Sequence, residues 1–155
     1  MSIATPGKSV GLSVEAIDHV GIAVPDLDAA IAFHTAIFGL ELVHREDNVE
    51  QGVAEAMLAP PAGHGLGGTQ IQLLAPLTAE SAIARFLEHS GPGLQQLAYR
   101  VPDVDQAART LRDRGLRVLY ESAKRGTRGS LVNFVHPKDA GGVLIELVQP
   151  AAPSR

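Results

Sequence analysis

Residues 17–43, IDHVGIAVPDLDAAIAFHTAIFGLELV, and residues 97–120, LAYRVPDVDQAARTLRDRGLRVLY, are two versions of one segment. Val24-Pro25-Asp26-Leu27-Asp28 returns 77 positions later as Val101-Pro102-Asp103-Val104-Asp105. Gly39-Leu40 returns as Gly115-Leu116 at a spacing of 76, and Ile71-Gln72-Leu73 as Ile145-Glu146-Leu147 at a spacing of 74. Three ordered matches mark a duplicated unit whose copies start and finish alike, and a repeat of this kind sets the organisation of a chain before any local reading.

Each copy has the same local grammar. Residues 17–24 alternate, with Asp18, Val20, Ile22 and Val24 on one face and Ile17, His19, Gly21 and Ala23 on the other, the pattern of a strand. Pro25 and Asp26 stop that strand, Asp26 is placed to cap a helix, and Gly39 is placed to end it. Residues 40–45, 52–58 and 69–74 read as three further strands, with a Gly-rich loop at 62–68. In the second copy the alternation of Leu97, Tyr99 and Val101 marks a strand and 104–114 a helix. Strands are expected there at 117–121, 130–135 and 143–148. A linking helix is expected at about 78–89 and a hinge at Ser90-Gly91-Pro92-Gly93. The fold class is therefore α+β, with two pseudo-symmetric βαβββ modules forming a curved mixed sheet around a central cavity. The expected domain is one unit at 16–150, its modules at about 16–77 and 94–150, with a flexible segment at 1–15 and a tail at 151–155.

Composition bounds the function. The chain has 155 residues, 45% hydrophobic and 19% charged, enough for one independently stable core and too apolar for a disordered chain. Aromatics are 4% with no Trp, so the core is aliphatic. A net charge of −4 offers no general footprint for nucleic acid or an anionic membrane. The absence of cysteine excludes disulfides, thiolate nucleophiles and Cys-type zinc sites. No apolar run approaches the ~18 residues of a spanning helix, and residues 1–13 lack a signal-peptide core, so a cytoplasmic location is the expectation.

Alternation also selects candidate site residues. The faces bearing Val20 and Ile22, or Leu97 and Tyr99, are bulky and should pack on helices. The opposite faces carry His19 and Gln96 at matching positions of the repeat, and Gln72 and Glu146 form a second matching pair. If the modules join by pseudo-two-fold symmetry, these four side chains can meet. One imidazole, one carboxylate and two carboxamides suit an octahedral divalent ion with open water positions. A carboxylate inside Val143-Leu144-Ile145-Glu146-Leu147-Val148 also demands a partner, because burying it alone is costly.

Several segments together resemble the vicinal oxygen chelate superfamily, and within it the methylmalonyl-CoA epimerase family. They are Ile17-Asp18-His19-Val20, residues 44–57 (HREDNVEQGVAEAM), Ile71-Gln72-Leu73-Leu74, residues 98–105 and residues 134–149 (FVHPKDAGGVLIELVQ). The resemblance implies paired βαβββ modules, a divalent metal (Co, Mn, Zn or Mg) and a homodimer. Its metal-ligand positions fall on His19, Gln72, Gln96 and Glu146. One position departs from the pattern: this chain has Gln95-Gln96 where the family's motif has His-His. A neutral carboxamide is a poorer transition-metal ligand than imidazole, so affinity is expected to fall and preference to move towards harder ions such as Mn²⁺ or Mg²⁺.

The implied activity is epimerisation of an acyl-CoA, methylmalonyl-CoA or a close 2-alkylmalonyl-CoA, through an enolate. The resemblance places one catalytic carboxylate on Glu55 and the second on Glu146, which doubles as a ligand. Arg100 shares a strand face with Gln96 and is a candidate for the substrate carboxylate. Lys124, Arg125 and Lys138 are candidates for coenzyme A phosphates. Two other readings stand beside this one: a lyase, isomerase or glyoxalase-like enzyme on the same scaffold, and a non-catalytic small-molecule-binding protein.

Overall fold

The computed structural model describes residues 12–61 and 68–153. Among them the first copy supplies β1 (Ala16–Ala23), α1 (Leu27–Phe38), β2 (Glu41–Asn48), β3 (Val53–Ala59) and β4 (Gln70–Pro76). Helix α2 (Ala82–Ser90) follows. The second copy supplies β5 (Gly93–Arg100), α3 (Val104–Asp113), β6 (Lys124–Arg125), β7 (Leu131–Val135) and β8 (Ile145–Gln149). These strands form one curved sheet in the order β2-β3-β4-β1-β5-β8-β7-β6. Exchanging each strand for its counterpart in the other copy reverses this order and leaves it unchanged, which is the pseudo-two-fold the repeat implied. β1 and β5 meet antiparallel at the centre, while β1 pairs parallel with β4 and β5 parallel with β8.

The caps follow the sequence signals. Asp26 accepts from the Ala29 amide at 3.1 Å and Asp103 from the Gln106 amide at 3.0 Å, each closing the first turn of its helix. Gly39 ends α1 in the left-handed region at φ 70°, open to a residue without Cβ. One side of the sheet is covered by α1, where Leu27 joins Leu58 and Leu73 with Ile22 against them, and by α3, where Val104 and Ala107 join Val101, Val135 and Leu147. Because side chains alternate along a strand, residues such as His19, Gln72 and Glu146 are thereby turned to the opposite, concave side. There Ile83 of α2 packs with Ala23, Val53 and Leu74 at one end, while Val132, Phe134 and Val148 pack with Ala98 at the other.

The structure departs from the expected elements in four places. No regular strand forms at 117–121; Val118 makes a single bridge to Val135. The reason is Asn133, fully buried, whose side chain accepts from the Tyr120 amide at 3.0 Å and donates to the Tyr120 carbonyl at 2.9 Å. A side chain there takes the backbone groups a ladder would have used, and the short strand of the second copy is β6 instead. The linking helix starts later than expected, at Ala82, because Ser81 caps it by accepting from the Ala84 amide. β2 runs on through Glu46 and Asp47 to Asn48, past its expected end at 45. Finally, within the segment expected to be flexible, residues 1–11 lie outside the described residues, but Leu12 packs on the second core and the Glu15 amide donates to the Arg100 carbonyl. Most of the Gly-rich loop, 62–67, and residues 154–155 of the tail also lie outside the described residues.

Candidate active site

His19 and Gln96 reach the same cavity because the two central strands carry matching irregularities. In β1 the register slips between Ile17 and His19, so that Asp18 is the extra residue opposite Ala98. In β5 the slip falls between Gln96, paired with Gly21, and Leu94, paired with Ile22, so that Gln95 is the extra residue. Such bulges re-aim side chains and strengthen local twist. The repeat spacing of 77 relates Asp18 to Gln95, His19 to Gln96 and Gly21 to Ala98, so the two bulges are counterparts. Gly21 is required in its own place: a Cβ there would lie 2.4 Å from the Gln96 Cγ.

The four candidate ligands converge. His19, Gln72, Gln96 and Glu146 are only 4–8% exposed. Glu146 Oε2 lies 3.2 Å from His19 Nε2 and accepts from Gln96 Nε2 at 2.5 Å. Gln96 Nε2 also donates to Gln72 Oε1 at 2.9 Å and lies 3.3 Å from His19 Nε2. One carboxamide nitrogen thus stands at the focus of three acceptor-capable atoms from three other strands. Exchanging the oxygen and nitrogen of Gln96, which are alternative assignments of one side chain, would bring four electron-rich atoms to that focus, an arrangement that a cation balances. The donor set therefore fits a hard divalent ion. Among the described residues no three His, Cys, Asp or Glu side chains stand together as a metal-holding group, so the capacity of this ring depends on the two carboxamides.

Glu55 extends the ring. It is 5% exposed, on the face of β3 that it shares with Met57, the residue opposite Gln72. Its Oε2 accepts from Gln72 Nε2 at 2.7 Å, while its Oε1 is buried without a partner. Burial pushes the Glu55 carboxyl up to about 7; the Thr127 hydroxyl opposes this, and the charges of Glu46 and Glu146 add to it. For His19, burial alone would lower the pKa, but hydrogen bonds and charge from Asp18 and Glu146 prevail and raise it to about 9. The result is a file, Glu55–Gln72–Gln96–Glu146, with a carboxyl group at each end and two strands of each module represented.

Two cavities flank this file. One, of about 310 Å³, is lined by Glu55, Gln72, Gln96 and Glu146 together with Tyr120 and Lys124, whose ammonium sits 4.3 Å from the Tyr120 ring centroid. The other, of about 360 Å³, is lined by His19 and Glu146 with Asp18, Arg100 and Arg128. Thr127 borders both, and its Oγ1 accepts from Gln72 Nε2 at 3.1 Å. The segment carrying Thr127 is tied across the cavity to the first module: Asn48 and Gln51 donate to the Arg125 carbonyl and the Arg128 amide donates to Glu46.

Of the expected substrate contacts, Lys124 lines the first cavity. Arg100 lines the second cavity and is held by Asp18; its Nε and Nη2 each lie 2.9 Å from Asp18 Oδ1. Arg125 and Lys138 line neither cavity and are exposed, Arg125 contributing its carbonyl rather than its guanidinium. Sequence reasoning missed Asp18, Gln95 and Thr127. The first two carried a signal, since they precede His19 and Gln96 at matched positions of the repeat; Thr127 carried none.

A pseudo-symmetric half-barrel with a polar ring at its centre defines a vicinal oxygen chelate protein. The sequence profile of the Glyoxalase/Bleomycin resistance protein/Dioxygenase superfamily matches residues 18–134. The chain is 53% identical to a crystal structure of methylmalonyl-CoA epimerase from Mycobacterium tuberculosis, covering 96% of this chain and 95% of that one with a TM-score of 0.85. It is 46% identical to a methylmalonyl-CoA epimerase in complex with methylmalonyl-CoA and NH4+, covering 90% of this chain and 97% of that one with a TM-score of 0.84. Ethylmalonyl-CoA/methylmalonyl-CoA epimerase of Cereibacter sphaeroides is 39% identical over 135 residues, 86% of this chain and 96% of that protein. The chain belongs to the vicinal oxygen chelate superfamily and, within it, to the methylmalonyl-CoA epimerase family.

Proposed function

We propose that this protein epimerises methylmalonyl-CoA or a close 2-alkylmalonyl-CoA by removing the α proton on one face and returning a proton on the other. The observation that carries the reading is Glu55, a residue of the cavity lining whose carboxyl is buried to 5% exposure, raised to about 7 and left with one oxygen unpartnered. A group so placed accepts a proton near neutral pH, where a general base works best. Glu146, at the other end of the hydrogen-bonded file, is the partner that, when protonated, delivers its own proton to the opposite face, while Glu55 keeps the one it removed until solvent exchanges it. Gln72 holds the Glu55 carboxyl through Oε2, which fixes it at the cavity.

His19, Gln72, Gln96 and Glu146 are the residues that would hold a divalent ion. When bound, it supplies fixed positive charge where the enolate oxygens develop. With a carboxamide at position 96, the ring favours harder ions such as Mn²⁺ or Mg²⁺ over Zn²⁺. The acyl thioester end enters the cavity of about 310 Å³, within the size of small-molecule sites, with Lys124 at its wall for an anionic group. Arg125 and Lys138, on the exterior, remain available only to parts of coenzyme A that lie outside the cavity.

The direct test is deuterium wash-in at the α-carbon of methylmalonyl-CoA in heavy water, with Mn²⁺ supplied. Exchange by the wild type and its loss in Glu55→Gln support the reading; no exchange by folded, metal-supplied protein overturns it. We also assign the protein to the cytoplasm, acting as a homodimer. No helix among the described residues is long and apolar enough to cross a membrane. The outer face of α1 leaves Phe33, Ile37 and Phe38 52–64% exposed, an apolar patch suited to a second copy. Phe33→Glu should then convert a dimer to a monomer in analytical ultracentrifugation, and a wild-type monomer would exclude the assignment.

A further inference from the structure

We infer that Asp18, clamped by Arg100, is a positioning residue that acts through His19, fixing the imidazole with its Nε2 towards the ring. Asp18 Oδ2 lies 2.7 Å from His19 Nδ1, and Asp18 Oδ1 takes Nε of Arg100 at 2.9 Å and Nη2 of the same guanidinium at 2.9 Å. The inference rests on the ion-holding role given above to His19, Gln72, Gln96 and Glu146.

Regular alternation would point Asp18 away from His19. The bulge between Ile17 and His19 instead turns the carboxylate back against its neighbour's ring. An imidazole offers two nitrogens, and the partner of one decides which way the other faces and which of them keeps a lone pair. With Nδ1–H donated to Asp18, Nε2 is the nitrogen left to face an ion, which would take the place of its proton. A carboxylate behind a ligating histidine also raises its basicity and locks its orientation.

The second module serves as an internal control. Its ring member is Gln96, a carboxamide with no second nitrogen to steer, and the residue at the counterpart of Asp18 is neutral Gln95, whose Oε1 is buried with no partner. The carboxylate and guanidinium stand only behind the imidazole. Arg100 is accordingly assigned to the support of Asp18.

The test is Mn²⁺ affinity, read by loss of the free-ion electron paramagnetic resonance signal, with urea denaturation of the chelated protein as a control for folding. Asp18→Ala should weaken binding about 10–100-fold, the range for losing an outer partner of a ligating histidine. Asp18→Asn keeps an acceptor for Nδ1–H and should recover most of that loss. Arg100→Ala should weaken binding less, and Asp18→Ala with Arg100→Ala should be no worse than Asp18→Ala alone, since Arg100 acts through Asp18. If Asp18→Ala does not fold, Arg100→Ala against Arg100→Lys carries the same contrast. Unchanged affinity in the variants, or losses that add, overturns the inference while leaving the ion site standing. Wild-type protein that takes up no Mn²⁺ removes the ion site itself, a separate and recognisable outcome.

Discussion

Adding one methyl group at Gly21 should disable the site while leaving the fold in place. Gly21 sits directly opposite Gln96 across the central pair of strands, and its φ is not in the left-handed region, so alanine is acceptable to the backbone. The new Cβ would meet Gln96 Cγ at 2.4 Å, Cδ at 3.0 Å and Nε2 at 3.2 Å. Carbon atoms in good contact stand at about 3.5–4.0 Å, so the Gln96 side chain must move by more than about 1 Å. It then surrenders its bonds to Gln72 Oε1 and Glu146 Oε2. Overpacking of this kind costs about 1–3 kcal/mol. Replacing Gly by Ala returns about 0.4–1 kcal/mol by restricting the unfolded chain. Urea denaturation should therefore show a net loss of roughly 1–2 kcal/mol. The α-proton exchange rate should fall about 100-fold, the usual penalty for a 1 Å misplacement of a catalytic group. Truncating the obstructed side chain in Gly21→Ala/Gln96→Ala should restore stability without restoring exchange. Wild-type exchange in Gly21→Ala would refute the claim that Gln96 must occupy the focus of the ring.

Two further outcomes follow from burial. Glu55→Gln should stabilise chelator-treated protein at high pH. The folded carboxyl holds its proton up to about pH 7, whereas the unfolded one releases it near 4.5, so wild-type stability falls as pH rises between those values. The difference approaches about 3 kcal/mol at pH 8 and vanishes below pH 4.5; urea curves offset equally at every pH would contradict it. Asn133→Ala should cost about 1–3 kcal/mol, because the half-buried Tyr120 amide loses its partner while the carbonyl keeps only Arg112. Hydrogen exchange at the Tyr120 amide should rise with it, and unchanged protection there would show that the side chain does not substitute for a strand.

Much of this site was legible from periodicity. Counting by two along residues 17–24 and 69–74 put His19 and Gln72 on the faces away from α1, and the repeat doubled the statement with Gln96 and Glu146. Burial of all four on the concave side follows from that count. Glu55 was legible only through resemblance, since an isolated carboxylate in Val53–Met57 has no distinguishing period. The expectation for Arg100 omitted its partner for a physical reason: its face was read correctly, but a bulge had brought Asp18 within reach of the guanidinium.

What the amino-acid order determined by itself was the duplication, the helix caps at Asp26 and Asp103, and the side of the sheet on which strand residues lie away from the bulges. These depend on neighbours within a few positions, where backbone geometry is rigid enough to count. Only the assembled sheet decided which side chains touch: Gln72 against Thr127 across 55 positions, Gln96 against Glu146 across 50, and Arg100 against Asp18 across 82. Those contacts depend on register, and each bulge shifts register by one residue through a local twist that no periodic pattern encodes.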